Sequence, residues 1–258
     1  YKEFYTRHMV YAGYGYDAFY GQHEIGLTDV EIRYDSEFYR QAKDNVTSVD
    51  EPFFSFMITL SGHSPYTDSN LAVLEHADQV EAYYGDQIPL SIRNYIATQI
   101  ELDLMIGELF NDLEEKNLLD DTVIILSGDH YPYTLNQDDF EAYAQITETF
   151  MKQRGNLYVW SNDLLEESIS ELSSSFDILP MINNWFNLGG DYNHYIGNDI
   201  FGTPGTQVYF KDYTTYDGTQ LLTLSANYNG LFEEQITKAQ NYYEISKRIL
   251  RSNYFKLD

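Results

Sequence analysis

Hydrophobic and polar positions along the chain predict strands and helices in turn. Residues 53–60 form a short apolar run after Pro52, and residues 122–126 form a second, β-branched run. Both runs are too short for a typical helix, so each predicts a buried strand. Between them, residues 90–118 repeat apolar side chains at helical spacing and predict a long amphipathic helix. A strand, a helix and a strand form a βαβ unit, which brings the loops after both strands to one edge of a parallel sheet.

The rest of the chain continues this pattern with shorter elements. They are a helix at 137–153, a strand at 157–160, a helix beginning near 176–180, a hairpin at 206–210 and 221–225, and a helix at about 231–252. Asp177 is the predicted N-cap of the helix that begins near 176–180. We therefore expect one α/β domain over residues 1–258. It should have a mostly parallel central sheet flanked by helices, a small carboxyl-terminal antiparallel hairpin and a terminal helix.

Charge and composition narrow the classes of function. The 258 residues contain 15 Lys and Arg against 41 Asp and Glu, so the formal net charge is −26. A nucleic-acid binder needs cations that release counterions, so we expect no nucleic-acid partner. An anionic substrate would need a metal ion or a local Arg to reverse the field at its site. The sequence has no Cys, which excludes disulfides, Cys-ligated zinc and a Cys nucleophile.

Candidate chemistry lies in the loops that follow the two predicted strands. His63 follows the first, and the adjacent pair Asp129 and His130 follows the second. In an open α/β sheet ligands bind outside the carboxyl ends of the strands, and a carboxylate beside an imidazole suits Zn²⁺ or Mn²⁺. A structural alternative stays open, in which Asp129 caps a turn and His130 only packs. The other histidines lie in polar segments and are expected at the surface: His8, His23, His76 and His194.

Several segments, collinear along nearly the whole chain, resemble a known family. Residues 52–66 resemble the "PF…TxxxHxPY" segment of lipoteichoic acid synthases and related phosphoglycerol transferases, and residues 127–131 resemble their "GDHY" metal motif. Four more segments are similar to "FWNR" and "GYDxFF" of this family and to "DxxPT" and "GxDLF" of the wider sulfatase and alkaline phosphatase superfamily: residues 1–7, 15–20, 176–180 and 197–201.

The resemblance implies an alkaline phosphatase or sulfatase-like fold and a metal-dependent transferase. In this family a Thr attacks the phosphorus of a phosphatidylglycerol head group, and the glycerophosphoryl group passes to a growing polyglycerolphosphate or a glycolipid. One divalent metal assists, usually Mn²⁺, with Mg²⁺ or Zn²⁺ as alternatives. The resemblance assigns Asp129 and His130 as metal ligands and His63 as a contact of the transferring phosphate. It assigns Arg7 to a phosphate, and Tyr5, where the family has Trp, to the glycerol pocket.

The family's nucleophilic Thr and a further acidic metal ligand lie before the "FWNR" segment. We therefore expect both to lie upstream of this chain, which then represents the carboxyl-terminal part of a catalytic domain and is inactive alone. Upstream helices would tether the domain to the extracellular face of a bacterial membrane. The missing part should leave apolar surface uncovered and favour self-association of the fragment. Pro132 replaces the usual Gly after "GDHY" and stiffens that loop, so the substrate can differ from phosphatidylglycerol.

Two further classes of function stay open. A sulfatase, or a phosphoethanolamine transferase or other phosphodiesterase of the same superfamily, would share the fold. A non-catalytic surface domain that binds glycan through its 25 Tyr residues would need no active site. The residue at the nucleophile position of the full-length protein separates these classes.

Overall fold

The structure is a computed structural model that describes residues 4–47, 52–202, 204–205, 207–223, 233–252 and 254. It has two compact units, Tyr1–Leu165 and Glu166–Asp258. The first contains α1 (Arg7–Gly13), α2 (Gln22–Ile25), α3 (Asp35–Val46), α4 (Leu71–Tyr84), α5 (Leu90–Glu115), β1 (Ile124–Ser127), α6 (Gln137–Tyr143) and β2 (Leu157–Trp160). The second contains α7 (Ile178–Trp185), β3 (Val208–Tyr209), β4 (Thr215–Tyr216), β5 (Leu221–Leu222) and α8 (Glu233–Ser252). That these units form one domain stays a prediction. None of the helices described is both long and apolar enough to cross a bilayer.

The long predicted helix is confirmed as α5, and it carries the core of the first unit. Both α3 and α4 pack against it. Met105, Leu109 and Leu113 recur every four residues and therefore lie on one face of α5. On that face they form a buried cluster with residues of three other segments: Tyr39, Leu118 and Ile124. The core thus joins α3, α5 and the start of β1.

Two of the predicted helices end near residues with left-handed backbone angles. Asn117 has φ of 56°, and the N–H of Leu118 donates to the carbonyl of Leu113 at 2.8 Å. This is the Schellman arrangement, which closes α5 and packs Leu118 beside Leu113. Gln145 has φ of 54°, so α6 stops at Tyr143 and only a short 3₁₀ turn, Thr149–Gln153, occupies the rest of the predicted helix.

The α/β fold class is confirmed, but the arrangement of the strands in the first unit differs from the prediction. β1 and β2 lie where the sequence predicts strands, and they pair antiparallel, with Ile124 opposite Trp160 and Ser127 opposite Leu157. Within the described residues the two sheets, of two and three strands, are both antiparallel. The parallel central sheet was therefore a wrong expectation for this part of the chain, because the run predicted as the parallel neighbour of β1 forms no ladder.

That run, residues 53–60, is extended but belongs to no helix or strand. At its end the N–H groups of Leu60 and Ser61 donate to the carboxylate of Asp35 at 2.7 and 3.1 Å. A side chain thus supplies the acceptor that a neighbouring strand would otherwise provide. Every second side chain of the run is exposed: Phe54, Phe56, Ile58 and Leu60. The alternation is that of a strand, but a strand also needs a partner.

The second unit contains both strands of the predicted hairpin, as β3 and β5, but they do not pair with each other, because β4 lies between them. β3 pairs with β4 and β4 pairs with β5, all antiparallel. The carboxylate of Asp217 accepts the N–H groups of Thr219 and Gln220, both at 2.9 Å, and so fixes the turn between β4 and β5. The terminal helix is confirmed as α8. Residues 206, 224–225 and 231–232 of these predicted elements lie outside the described residues.

Asp177 precedes α7, as predicted, but its carboxylate does not cap that helix. It accepts the N–H of Ser174 at 2.6 Å and the N–H of Asn198 at 2.7 Å. A Cβ atom on Gly197 would lie 1.9 Å from the carbonyl oxygen of Phe176, so only glycine fits there. Asp177 and Gly197 thereby bring the "DxxPT" and "GxDLF" segments together.

Candidate functional site

The loop that carries His63 is held by side chains on both of its flanks. The Asp35 carboxylate, at the start of α3, accepts from Leu60 and Ser61 just before the loop, including the Ser61 hydroxyl. After the loop, the Asn70 side-chain amide donates to the carbonyl of His63 at 3.1 Å and its oxygen caps α4. Asp35 is only 1% exposed. Burial raises its pKa above the ordinary range, although these hydrogen bonds oppose the shift.

A second buried carboxylate supports the same end of the helices. Glu101 of α5 accepts the backbone N–H of Ser36 at 3.1 Å and also its hydroxyl. Its other oxygen lies 2.8 Å from His76 Nε2 of α4. His76 is therefore buried between helices, and its predicted place at the surface was wrong. Local polarity marked it as exposed, whereas its partner is 25 residues away in the sequence.

His63 presents one ring nitrogen to solvent. Its Nδ1 lies 2.8 Å from the carbonyl oxygen of Ser64. A carbonyl oxygen can only accept, so Nδ1 carries the hydrogen, and Nε2 of the neutral ring offers its lone pair. The protonated ring would instead donate from Nε2, for example to a phosphate oxygen.

Asp129 and His130 follow β1 as an exposed pair. Their side chains are 86% and 43% exposed. His130 Nδ1 lies 2.9 Å from the Tyr131 carbonyl oxygen, so this ring also leaves Nε2 available. That nitrogen lies 3.6 Å from Asp129 Oδ2. Two ligands of a tetrahedral ion with bonds of about 2.0–2.1 Å lie roughly 3.3 Å apart. The pair therefore needs only a small adjustment to bind one ion.

The residues present fit two positions of a metal shell. Among the described residues, no group of three or more potential ligands is gathered at one place. Across that same part of the chain Asp129 accepts no hydrogen bond from a turn, so the alternative in which it is a structural cap finds no support. Asp129 and His130 thus supply one oxygen and one nitrogen ligand, and further ligands would have to come from elsewhere.

Tyr66 connects the two loops. It follows His63 in its loop, and its pKa is raised to about 12, mainly by burial and then by Tyr95, with smaller contributions from Tyr133 and Asp129. A side-chain hydrogen bond with Thr134, beyond the metal motif, opposes this shift. The Tyr133 ring in turn lies 4.9 Å from the His130 ring. Tyr66 is thus related to the second loop through side chains and not through a parallel sheet edge. That the side chains of His63, Asp129 and His130 lie close together stays a prediction.

Tyr5 and Arg7 lie at the start of the described chain. Tyr5 is 78% exposed, and Tyr5 and Thr6 both adopt left-handed backbone angles, with φ of 53° and 52°. Such angles are uncommon for residues other than glycine and cluster at functional sites. The Arg7 guanidinium lies 5.4 Å from the Phe4 ring. Among the described residues, no hydrogen bond, ion pair or ring contact joins Tyr5 or Arg7 to the loops of His63 and Asp129.

Sequence reasoning missed the residues that position these loops. Asp35 and Tyr66 make contacts with residues 25 or more positions away in the sequence, which local patterns do not reveal. Asn70 alone had a readable signal, because Asn directly before an apolar helical repeat is a typical N-cap.

Comparisons with known proteins agree with the motifs. A sequence model of the sulfatase family matches residues 1–188. The lipoteichoic acid synthase of Staphylococcus saprophyticus is 33% identical over 142 residues, which cover 54% of this chain and 21% of that protein. The lipoteichoic acid synthase of Staphylococcus aureus strain USA300 is 26% identical over a 284-residue alignment, which covers 99% of this chain and 42% of that protein. The chain thus spans about two fifths or less of the length of these relatives.

Proposed function

The chain belongs to the sulfatase family, and from that premise we propose that it forms part of a metal-dependent phosphoglycerol transferase. The observation that carries the proposal is the pair Asp129 and His130, whose oxygen and Nε2 lie 3.6 Å apart on an exposed loop. The similarity to lipoteichoic acid synthases supports the choice of transferase within the family.

In this proposal Asp129 and His130 hold a divalent cation, with Mn²⁺ as the first choice and Mg²⁺ or Zn²⁺ as alternatives. The ion would neutralise charge on the transferring phosphoryl group and favour the deprotonated nucleophile. In its protonated form His63 donates from Nε2 to a phosphate oxygen, because its Nδ1 already donates to the Ser64 carbonyl oxygen. Arg7 binds a second phosphate oxygen with its planar fork of donors. Tyr5 contacts the glycerol.

The substrate class is a phosphatidylglycerol-type lipid, and the acceptor is a polyglycerolphosphate or a glycolipid. The proposal assigns the nucleophilic Thr to a part of the protein upstream of these 258 residues, which span only 42% of the Staphylococcus aureus relative. We place the domain on the extracellular face of a bacterial membrane, tethered by that outside part. A net charge of −26 opposes approach to anionic head groups, so local cations must provide the attraction. The same charge argues against a nucleic-acid partner.

The test uses the full-length protein and its Asp129→Asn variant. Calorimetric titration with Mn²⁺ should give about one equivalent bound to the wild type and a strongly reduced affinity in the variant, together with loss of glycerophosphate transfer from phosphatidylglycerol. The matched control is Asp163→Asn, which makes the same change of charge at an exposed loop position and should leave both measurements unchanged. Equal Mn²⁺ binding by wild type and Asp129→Asn would contradict the proposal.

The family match also favours a second candidate, hydrolysis of a sulfate ester. The same preparation separates the two functions. Release of sulfate from an aryl sulfate, without transfer of glycerophosphate, would support the sulfatase and remove the transferase.

A further inference from the structure

A small pocket beside the His63 loop contains an arginine that the motifs do not include. Arg33, Ser61, His63 and Asn70 are among the residues that line it. The positions of the last three are fixed by the Asp35 and Asn70 hydrogen bonds that hold the loop. Arg33 comes from the 3₁₀ turn just before α3. The pocket thus combines an exposed guanidinium with the imidazole proposed to contact phosphate.

Arg33 has no acidic partner in the part of the chain that the structure describes. No carboxylate oxygen there lies within 4.0 Å of its guanidinium. Its two nearest acids in the sequence are directed to other donors. Glu31 accepts from the Thr28 N–H at 2.8 Å and from the Thr28 hydroxyl at 2.6 Å. The Asp35 carboxylate accepts the N–H groups of Leu60 and Ser61.

An unpaired Arg is informative in a chain of this charge. Acids outnumber bases by 41 to 15, and most other basic side chains of the first unit do have an acidic partner: Arg40, Lys43, Arg93, Lys116 and Lys152. Arg33 therefore retains its full set of donors for a ligand. A guanidinium is suited to the oxygens of a phosphate, which it can bind in a bidentate manner.

We propose that Arg33 is a further anion-binding residue, which with His63 holds a phosphate oxygen of a phosphomonoester or phosphodiester in this pocket. The proposal rests on the proposed function in one respect, the role of His63. It extends that function by giving the site a second guanidinium besides Arg7, on a different segment. An exposed Arg33 also supplies part of the local positive field that an anionic substrate requires.

The test measures binding of three probes to the full-length protein by calorimetry: inorganic phosphate, sn-glycerol 1-phosphate and glycerophosphoglycerol. Arg33→Gln should bind glycerol phosphate about tenfold more weakly or worse, because a charge-assisted hydrogen bond is lost. Arg33→Lys should retain part of the affinity, since it keeps the charge but not the fork. The matched control is Arg154→Gln, another arginine of the same unit with no acidic partner among the described residues. It should bind like the wild type.

The three probes distinguish the source of the ligand. Equal losses for all three would assign the pocket to the phosphate group itself, and a loss confined to glycerophosphoglycerol would assign it to the lipid head group. Both results support the proposal. Binding of all three probes by Arg33→Gln within twofold of the wild type would overturn it, as would an equal loss in Arg154→Gln or the absence of binding of every probe by the wild type. The Mn²⁺ titration of Asp129→Asn does not involve Arg33, so failure of this inference can be told apart from failure of the proposed function.

Discussion

Replacement of Asp35 tests whether one buried carboxylate holds the His63 loop. Asp35 accepts two backbone N–H groups and one hydroxyl from Leu60 and Ser61. Hydrogen bonds to a charged group contribute about 1.5–3 kcal/mol each, and a buried donor left without an acceptor costs about 1–3 kcal/mol. The lost hydrogen bonds and the cost of the unsatisfied donors describe partly the same energy, and removal of a buried charge offsets part of the destabilisation. We expect Asp35→Ala to lower the free energy of unfolding by about 3–4 kcal/mol.

Asp35→Asn provides the graded comparison, because it keeps one acceptor oxygen and nearly the same volume. It should lower the free energy of unfolding by about 1–2 kcal/mol. Burial raises the pKa of Asp35, so the folded chain holds this proton more tightly than the unfolded chain. The contribution of Asp35 is therefore full below the unfolded pKa of about 3.9 and declines as the pH rises through the folded pKa. The loss in Asp35→Asn should be larger at pH 4 than at pH 7.

Urea unfolding followed by circular dichroism measures these differences, with Asp163→Ala as the exposed control. Glycerol phosphate titration on the same samples reports on the loop, and its affinity should fall in Asp35→Ala even where the protein is fully folded. An unfolding free energy of Asp35→Ala within about 0.5 kcal/mol of the wild type, which is the range of ordinary surface changes, would refute the reasoning.

Three further predictions test separate parts of the structure. Burial acts to raise the pKa of Asp112, but hydrogen bonds from Thr47, Lys116 and Tyr39 outweigh it and leave the pKa below its ordinary value. In urea titrations Asp112→Asn should therefore lower the unfolding free energy by about 2–3 kcal/mol at pH 7. This loss should shrink as the pH falls through the unfolded pKa of about 3.9, and equal losses at pH 7 and pH 3 would count against the prediction. Gly197→Ala should lower the thermal midpoint by about 10 °C or more, since its Cβ would overlap a backbone oxygen, whereas an unchanged midpoint would show that the close approach is not real. At high concentration the chain should self-associate through the exposed apolar side chains of residues 53–60, as measured by light scattering. The double substitution Phe54→Lys and Ile58→Lys should reduce the association, and a monomeric wild type would contradict this prediction.

The long helices α5 and α8 were predicted from the sequence because their signals are local, whereas α4 was not among the predicted elements. The apolar repeat that predicts α5 is visible in the sequence, and the structure adds the left-handed Asn117 that ends the helix. Strands β1 and β2 were found for a similar reason, as short β-branched runs between polar turns. The pairing of those strands could not be derived, because hydrogen bonds of a ladder depend on which distant segment lies alongside. Residues 53–60 have the composition of a buried strand, and yet their exposed alternate side chains meet no neighbouring strand.

In the candidate site, too, some residues could be predicted from local sequence and others could not. His63, Asp129 and His130 could be selected because their residue types carry chemistry and follow apolar runs. The residue that holds the His63 loop in place, Asp35, has no such signature, since any carboxylate elsewhere in the chain would look the same, and Tyr66 was visible only as the last residue of the "HxPY" segment. Loops positioned by a sheet edge tolerate changes in their polar neighbours, because the ladder fixes the backbone. Loops positioned by single side chains do not. The geometry of this site should therefore respond more strongly to Asp35→Ala or Tyr66→Phe than to apolar substitutions in β1.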